Sequence, residues 1–175
     1  MEKPQSGLSF KAMSFMFKLR DIIRPRGNVL HEIGIKPGFQ VLDFGCGPGG
    51  YILPVAKLVG ESGKIFALDM NPVAILAVKS LAANNKLANI HTILSDGATG
   101  LPDSSIDVVL LYDDLHQFIK PEEILKELHR ILKPDGILSV SDHHMNEKDI
   151  TSKISGTGLF RLSQKGKVFN FNRVQ

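Results

Sequence analysis

The stretch Val41-Leu42-Asp43-Phe44-Gly45-Cys46-Gly47-Pro48-Gly49-Gly50 decides how the rest of the chain is read. Val41 and Leu42 open a short apolar run, which predicts a buried strand closing on Asp43. Glycine then fills positions 45, 47, 49 and 50. Only glycine turns that sharply while letting a ligand touch the backbone, and a plain connection between two elements needs fewer of them. An apolar segment over 51–59 follows at helical spacing. Strand, glycine turn and helix start, in that order, mark where doubly wound α/β proteins hold a nucleotide-like cofactor.

Gly45, Gly47 and Gly50 satisfy the dinucleotide-binding fingerprint by letter, a weak signal alone. Asp43 argues against a dinucleotide. Such a cofactor lays its pyrophosphate on a helix N-terminus, where amides and the helix dipole favour negative charge. A carboxylate two residues before the first glycine repels that group. It suits a ligand that carries an ammonium and a sulfonium. The series Asp43, Gly45, Gly47 and Gly49 closely resembles the first motif of the class I S-adenosylmethionine (SAM)-dependent methyltransferases, Asp-x-Gly-x-Gly-x-Gly.

At 175 residues the chain suffices for one domain with a sizeable core. Its 43% hydrophobic and 22% charged residues are those of a soluble globular protein. The early apolar run over 12–17 is short and flanked by lysines, unlike a signal peptide or a membrane span. Cys46 is the only cysteine, so no intrachain disulfide or cysteine-built metal site can form, and a cytoplasmic setting is expected. Charge is uneven. Residues 1–36 hold seven Lys/Arg against three Asp/Glu, residues 153–175 five against none, and the middle nine against fifteen. Solvated ends on an acidic centre explain this simply. Read functionally, the basic ends suit an anionic or lipid-like acceptor. No aromatic-basic signature accompanies them, which argues against nucleic acid.

Spacing predicts an amphipathic helix over 8–23 and a second over 28–33, ended by Gly34. Residues 1–36 are thus expected as a helical cap on a single domain over 37–175. Beyond them strands are predicted at 40–44, 64–69, 90–94, 106–111 and 137–141. They alternate with helices at 51–59, 71–85 and 121–132, the middle one burying Ala74, Leu76, Ala77, Leu81 and Ala82. A turn is expected at 133–136. This alternation gives a three-layer α/β/α sandwich with a mostly parallel, Rossmann-like sheet. After a short helix over 147–155, strands at 159–163 and 168–171 are joined through 164–167 as an antiparallel hairpin. Class I methyltransferases end in this way, so the resemblance spans most of the chain, nearest to the small ubiquinone- and menaquinone-biosynthesis enzymes.

In an open parallel sheet, ligands bind beyond the carboxyl ends of the strands. Here an aspartate stands at or just past each end: Asp43, Asp69, Asp96, Asp113 and Asp142. The resemblance implies that the loop of Gly45, Gly47 and Gly49 holds the amino-acid arm of SAM, with Asp43 near its ammonium. It implies that Asp69 accepts from both ribose hydroxyls and that Met70 lies on adenine. Asp96 would accept from the adenine amino group beside Gly97, and the backbone of Tyr112 would meet the amino-acid end.

Methyl transfer to oxygen or carbon also needs a base. Asp113, Asp114, His116, His143 and His144 follow the fourth and fifth strands, and His116, Asp113 and His143 are the catalytic candidates. Histidine titrates near neutrality and suits the task. In resembling enzymes a histidine at the place of His116 often only shapes the pocket. The Asn/Asp-Pro-Pro-Tyr/Phe sequence of amino-group methyltransferases is absent, with Tyr112-Asp113-Asp114-Leu115 in its place. A catechol-type magnesium site would use Asp113 and Asp142, but His143 replaces that family's asparagine, so no metal is expected. The expected function is methyl transfer from SAM to a small or partner-delivered acceptor. An NAD(P)-dependent oxidoreductase-like nucleotide binder and a non-catalytic SAM-binding subunit stay open as alternatives.

Overall fold

The computed structural model describes residues 27–174, so the helix expected over 8–23 lies outside the described residues. Helix α1 (Gly27–Ile33) precedes strand β1 (Gln40–Phe44), α2 (Ile52–Val59), β2 (Lys64–Asp69), α3 (Pro72–Asn84) and β3 (Ile90–Leu94). Then come β4 (Ile106–Tyr112), a single 3-10 turn (Leu115–Gln117), α4 (Pro121–Ile131) and β5 (Leu132–Ser141). Helix α5 (Glu147–Ser155), β6 (Phe160–Lys165) and β7 (Phe169–Arg173) close the chain. The seven strands form one sheet in the order β3-β2-β1-β4-β5-β7-β6. Strands β1 to β5 run parallel, β7 is antiparallel to β5, and β6 is antiparallel to β7.

Alternation along the central strands builds the three layers, because successive side chains leave opposite faces of a sheet. Val108, Leu110 and Tyr112 of β4 pack in a cluster with Leu30 and Ile33 of α1, Val55 of α2 and Val78 of α3. Val109 and Leu111 face the other way and join Leu125 and Leu128 of α4 and Ile154 of α5. β1 and β4 lie side by side in the middle of the sheet, so their carboxyl ends meet where the strand order reverses. That is the switch point at which such sheets bind ligands.

The structure corrects three local expectations. Leu76 is 61% exposed, and α3 buries Ile75 and Val78 beside the expected Ala74. This helix is apolar almost all round, so spacing cannot tell its inner face. Residues 133–136 do turn, but as an excursion within β5. Leu132 pairs with Ile106 and Ile137 with Val108, so the extra residues lie opposite Asp107 alone. Lys133 Nζ donates to Asp107 there, at 2.6 Å. The terminal hairpin is tighter than 164–167, with Gly166 donating to the carbonyl of Val168 at 3.0 Å. Its polar edge residues 163–165 are exposed, with the Ser163 hydroxyl donating to the carbonyl of Asn170 at 3.0 Å, and no burial pattern marks where they stop. The 3-10 turn over Leu115–Gln117 is an element to which the spacing assigned nothing.

Candidate active site

The chain leaves β1 by hooking onto the end of β2. The amides of Gly45 and Cys46 both donate to the carbonyl of Leu68, at 2.8 and 2.9 Å. Gly45 and Gly47 have φ of +73° and +50°, in the left-handed region that glycine enters without steric penalty. Gly49, at φ +86°, lies where a β-carbon would press on Leu81 and Val78, so α3 closes tightly on the loop. Cys46 is buried between these turns. Burial, and then the charges of Asp43, Asp69 and Asp114, push its thiol far above the ordinary cysteine range.

Asp69 ties the loop to the next helix. One carboxylate oxygen accepts from the amide of Gly47 and the other from the amide of Asn71, each at 2.8 Å. Asn71 in turn caps α3, its side-chain oxygen accepting from Val73 at 2.9 Å. Burial raises the Asp69 pKa against the lowering effect of these amides. Asp43 is buried in β1. Met70 follows β2, half-buried, while Asp96 is exposed beyond β3 and Gly97 buried, with Ile124 of α4 packed on its face. The β3 and β2 ends are linked, since Ser95 donates to the carbonyl of Asp69 at 3.1 Å. Tyr112 turns its ring into the core, stacked at a tilt on Tyr51 with centroids 4.8 Å apart, its hydroxyl 2.9 Å from that of Ser139. Its side chain thus serves packing, leaving the backbone at the strand end.

Asp114, absent from the expected cofactor-binding set, lies in the centre of this constellation. Its carboxylate rests against Gly45, in the space a β-carbon there would need. Burial, followed by the charges of Asp69, Asp43, Asp113 and Asp142, raises its pKa well above the ordinary carboxylate value. The one sequence signal for this contact was a glycine with no room for a side chain, and sequence cannot say what fills that room.

The histidines gather at the neighbouring ends of β4 and β5. Asp113, at φ +62°, accepts from the amide of His143 at 3.1 Å, and its Oδ1 lies 2.6 Å from His143 Nδ1. Asp142 does the same for His116, accepting from its amide at 2.9 Å with Nδ1 2.9 and 3.1 Å from its two oxygens. It also accepts from the amide of His144 at 3.0 Å. Burial alone would raise the Asp142 pKa, but the hydrogen bonds from His116 and His144 outweigh it and hold the carboxyl below its ordinary value. The ring of His144 stands between the other two, with centroids 4.4 Å from His116 and 3.9 Å from His143. The three catalytic candidates, His116, Asp113 and His143, therefore share one strand-end cluster, with Asp142 and His144 beside them.

The sequence profile of a family described as a methyltransferase domain matches residues 35–166. Among curated proteins, the chain is 33% identical over 93 residues to nocamycin O-methyltransferase of Saccharothrix syringae, covering 53% of this chain and 30% of that protein. It is 34% identical over 105 residues to demethylmenaquinone methyltransferase of Lactobacillus johnsonii, covering 58% and 43%. These matches span less than half the length of either relative. A SAM-dependent methyltransferase of Aquifex aeolicus has a similar structure, with a TM-score of 0.73 at 26% identity over 83% of this chain and 86% of that one. The strand order, the closing antiparallel hairpin and a family match that runs from the start of the sheet to its last turn agree, and the chain belongs to the methyltransferase-domain family of class I SAM-dependent methyltransferases.

Proposed function

We propose that this protein transfers a methyl group from SAM to a small acceptor. The observation that carries this reading is the acidic floor of the glycine turn, where the Asp114 carboxylate rests against Gly45 and where burial, and then the charges of Asp69 and Asp43, raise its pKa. Such a floor repels a diphosphate and attracts a cation. The polar groups suit SAM in detail. A carboxylate offers about four acceptor positions, so Asp69 keeps two for vicinal ribose hydroxyls beside its two amide bonds. Gly47, with nothing in the space a β-carbon would take, leaves the loop open to the amino-acid arm, while Gly45 makes room for the Asp114 carboxylate. Asp43 suits the ammonium, Met70 an adenine face, and Asp96 with Gly97 the adenine edge. The backbone of Tyr112 completes the set.

When bound, SAM supplies an electrophilic methyl group. The chain's own part is to align the acceptor, to exclude water and, where the acceptor is an acid, to take its proton. His116, His143 and Asp113 stand nearest that last task. The basic ends of the sequence support an anionic or lipid-like acceptor, and the single buried cysteine fits a cytoplasmic setting. No helix among the described residues is long and apolar enough to cross a membrane.

Calorimetric titration tests the reading. SAM and S-adenosylhomocysteine should bind and NAD should not, and an acceptor screen should then release S-adenosylhomocysteine. Tight binding of NAD without SAM would overturn it.

A further inference from the structure

Asp114 stands just before the 3-10 turn, where an aspartate ordinarily caps the first amides, yet its side chain makes no such bond. Its carboxylate has one hydrogen bond among the described residues, a long one from Gln117 Nε2 to Oδ1 at 3.4 Å. Oδ2 instead fills the place of a β-carbon on Gly45, the first glycine of the cofactor loop. Carboxylates face it from each neighbouring element: Asp69 of β2, Asp43 of β1, Asp113 of its own turn and Asp142 past β5. Cys46 of the loop feels the Asp114 charge and keeps its proton. Cations offer no relief. Lys153 of α5, which reaches the same turn, is taken by the carbonyls of Leu115 and Phe118 at 2.8 and 3.3 Å. His116 turns both its amide and its Nδ1 to Asp142. Carboxylates gathered so closely cannot all stay ionised without a cation, and the described residues give Asp114 none.

We propose that Asp114 is the residue by which this protein tells SAM from its product, S-adenosylhomocysteine, ionising against the cationic cofactor and recovering its proton when the neutral thioether takes the site. The inference rests on the methyltransferase reading and extends it to cofactor exchange. The two ligands share the adenosine and the amino-acid group, and they differ in one methyl group and one positive charge on sulfur. Asp69, Asp43 and the loop serve the shared parts in that reading, so Asp114 is the carboxylate left for the charge that differs. When the cation enters, Asp114 gives its proton to solvent and an ion pair replaces an O–H bond. Once the methyl group has left, the sulfur is neutral, the attraction ends and solvent returns the proton. In a partly shielded site one such attraction, over several ångströms, separates the two affinities by about tenfold or more. Product is thereby displaced by fresh cofactor more readily than the shared contacts alone would allow.

The test counts protons as well as affinity. Calorimetry of the full chain in buffers of different ionisation enthalpy should show SAM releasing up to about one proton per site and S-adenosylhomocysteine releasing far less. SAM affinity should rise with pH and level off where Asp114 ionises unaided, because below that point binding must expel the proton. Affinity for S-adenosylhomocysteine should stay nearly flat. Asp114→Asn should abolish the extra proton release, flatten the pH dependence and shrink the preference for SAM over S-adenosylhomocysteine by about tenfold or more. Asp114→Ala repeats the measurement without an amide that could itself bond the ligand, and it carries the test if Asp114→Asn does not fold. Equal proton release with both ligands, or an unchanged affinity ratio in the variants, would overturn the inference. Failure of the wild type to bind either ligand would instead overturn the methyltransferase reading itself.

Discussion

The carboxylate of Asp114 occupies the place where a β-carbon on Gly45 would sit. A residue from the end of β4 thus completes a turn that begins at the end of β1, and the two strands are neighbours in the sheet. Replacing Gly45 with alanine should therefore act twice. It places a side chain at φ +73°, which costs about 1–2 kcal/mol, and it displaces Asp114. Urea unfolding should show a lower midpoint at an unchanged slope, and calorimetry should show weakened SAM binding. A variant that binds SAM normally would mean that Asp114 moves away without consequence.

Asp114 also makes a prediction about pH. Its folded-state pKa is raised above the value of 3.8 expected when unfolded. Its contribution is fully present below that value and is lost as pH rises through the folded pKa, because folding then requires a buried negative charge. Asp69 shifts in the same direction. Asp142 shifts the opposite way, so its contribution holds above 3.8 and fades as pH falls through its lowered folded pKa. Asp114→Asn should consequently stabilise the ligand-free protein at neutral pH and flatten the decline as pH rises above 3.8. Thermal unfolding across that range measures both effects, and an unaltered slope would show that Asp114 does not dominate it.

Asp69→Ala should weaken SAM binding by about 1–3 kcal/mol, since charge-assisted bonds to the ribose are lost. The amides of Gly47 and Asn71 lose their acceptor in the same change, so the loop should also loosen. Calorimetry on Asp69→Ala and Asp69→Asn separates the two causes, because asparagine retains an acceptor. Unchanged affinity in both would remove Asp69 from the site.

Much of this was legible beforehand because the chain's punctuation is strong. Asp43 and the glycines fix the first turn, Asn71-Pro72 starts a helix by capping, and the apolar runs of β1 and β4 state their own burial. The antiparallel hairpin could be placed, though not its turn, because residues 163–165 carry polar side chains with no inner face to set the register. The site was readable as a set of strand ends. Its pairings were not. Nothing in sequence separation tells Asp142 to hold His116 and Asp113 to hold His143, since both links span residues that only the β4–β5 register brings together.

Lys153→Met should destabilise the protein by about 1–3 kcal/mol, because the carbonyls of Leu115 and Phe118 lose a charged donor. The loss should be local as well as global. Amide hydrogen exchange should quicken in the 3-10 turn while the strands beneath keep their order of protection. Unchanged exchange there would show that the turn is held by Asp142 alone.

Cys46 gives the molecule an unplanned use. As the one thiol in the chain, kept protonated by its burial inside the glycine turn and then by its acidic neighbours, it is nearly inert toward alkylating reagents while the turn is closed. Whatever reactivity it shows then measures how often this turn opens. The native sequence carries its own single-site clock for breathing at the cofactor loop, and a ligand seated there would slow it.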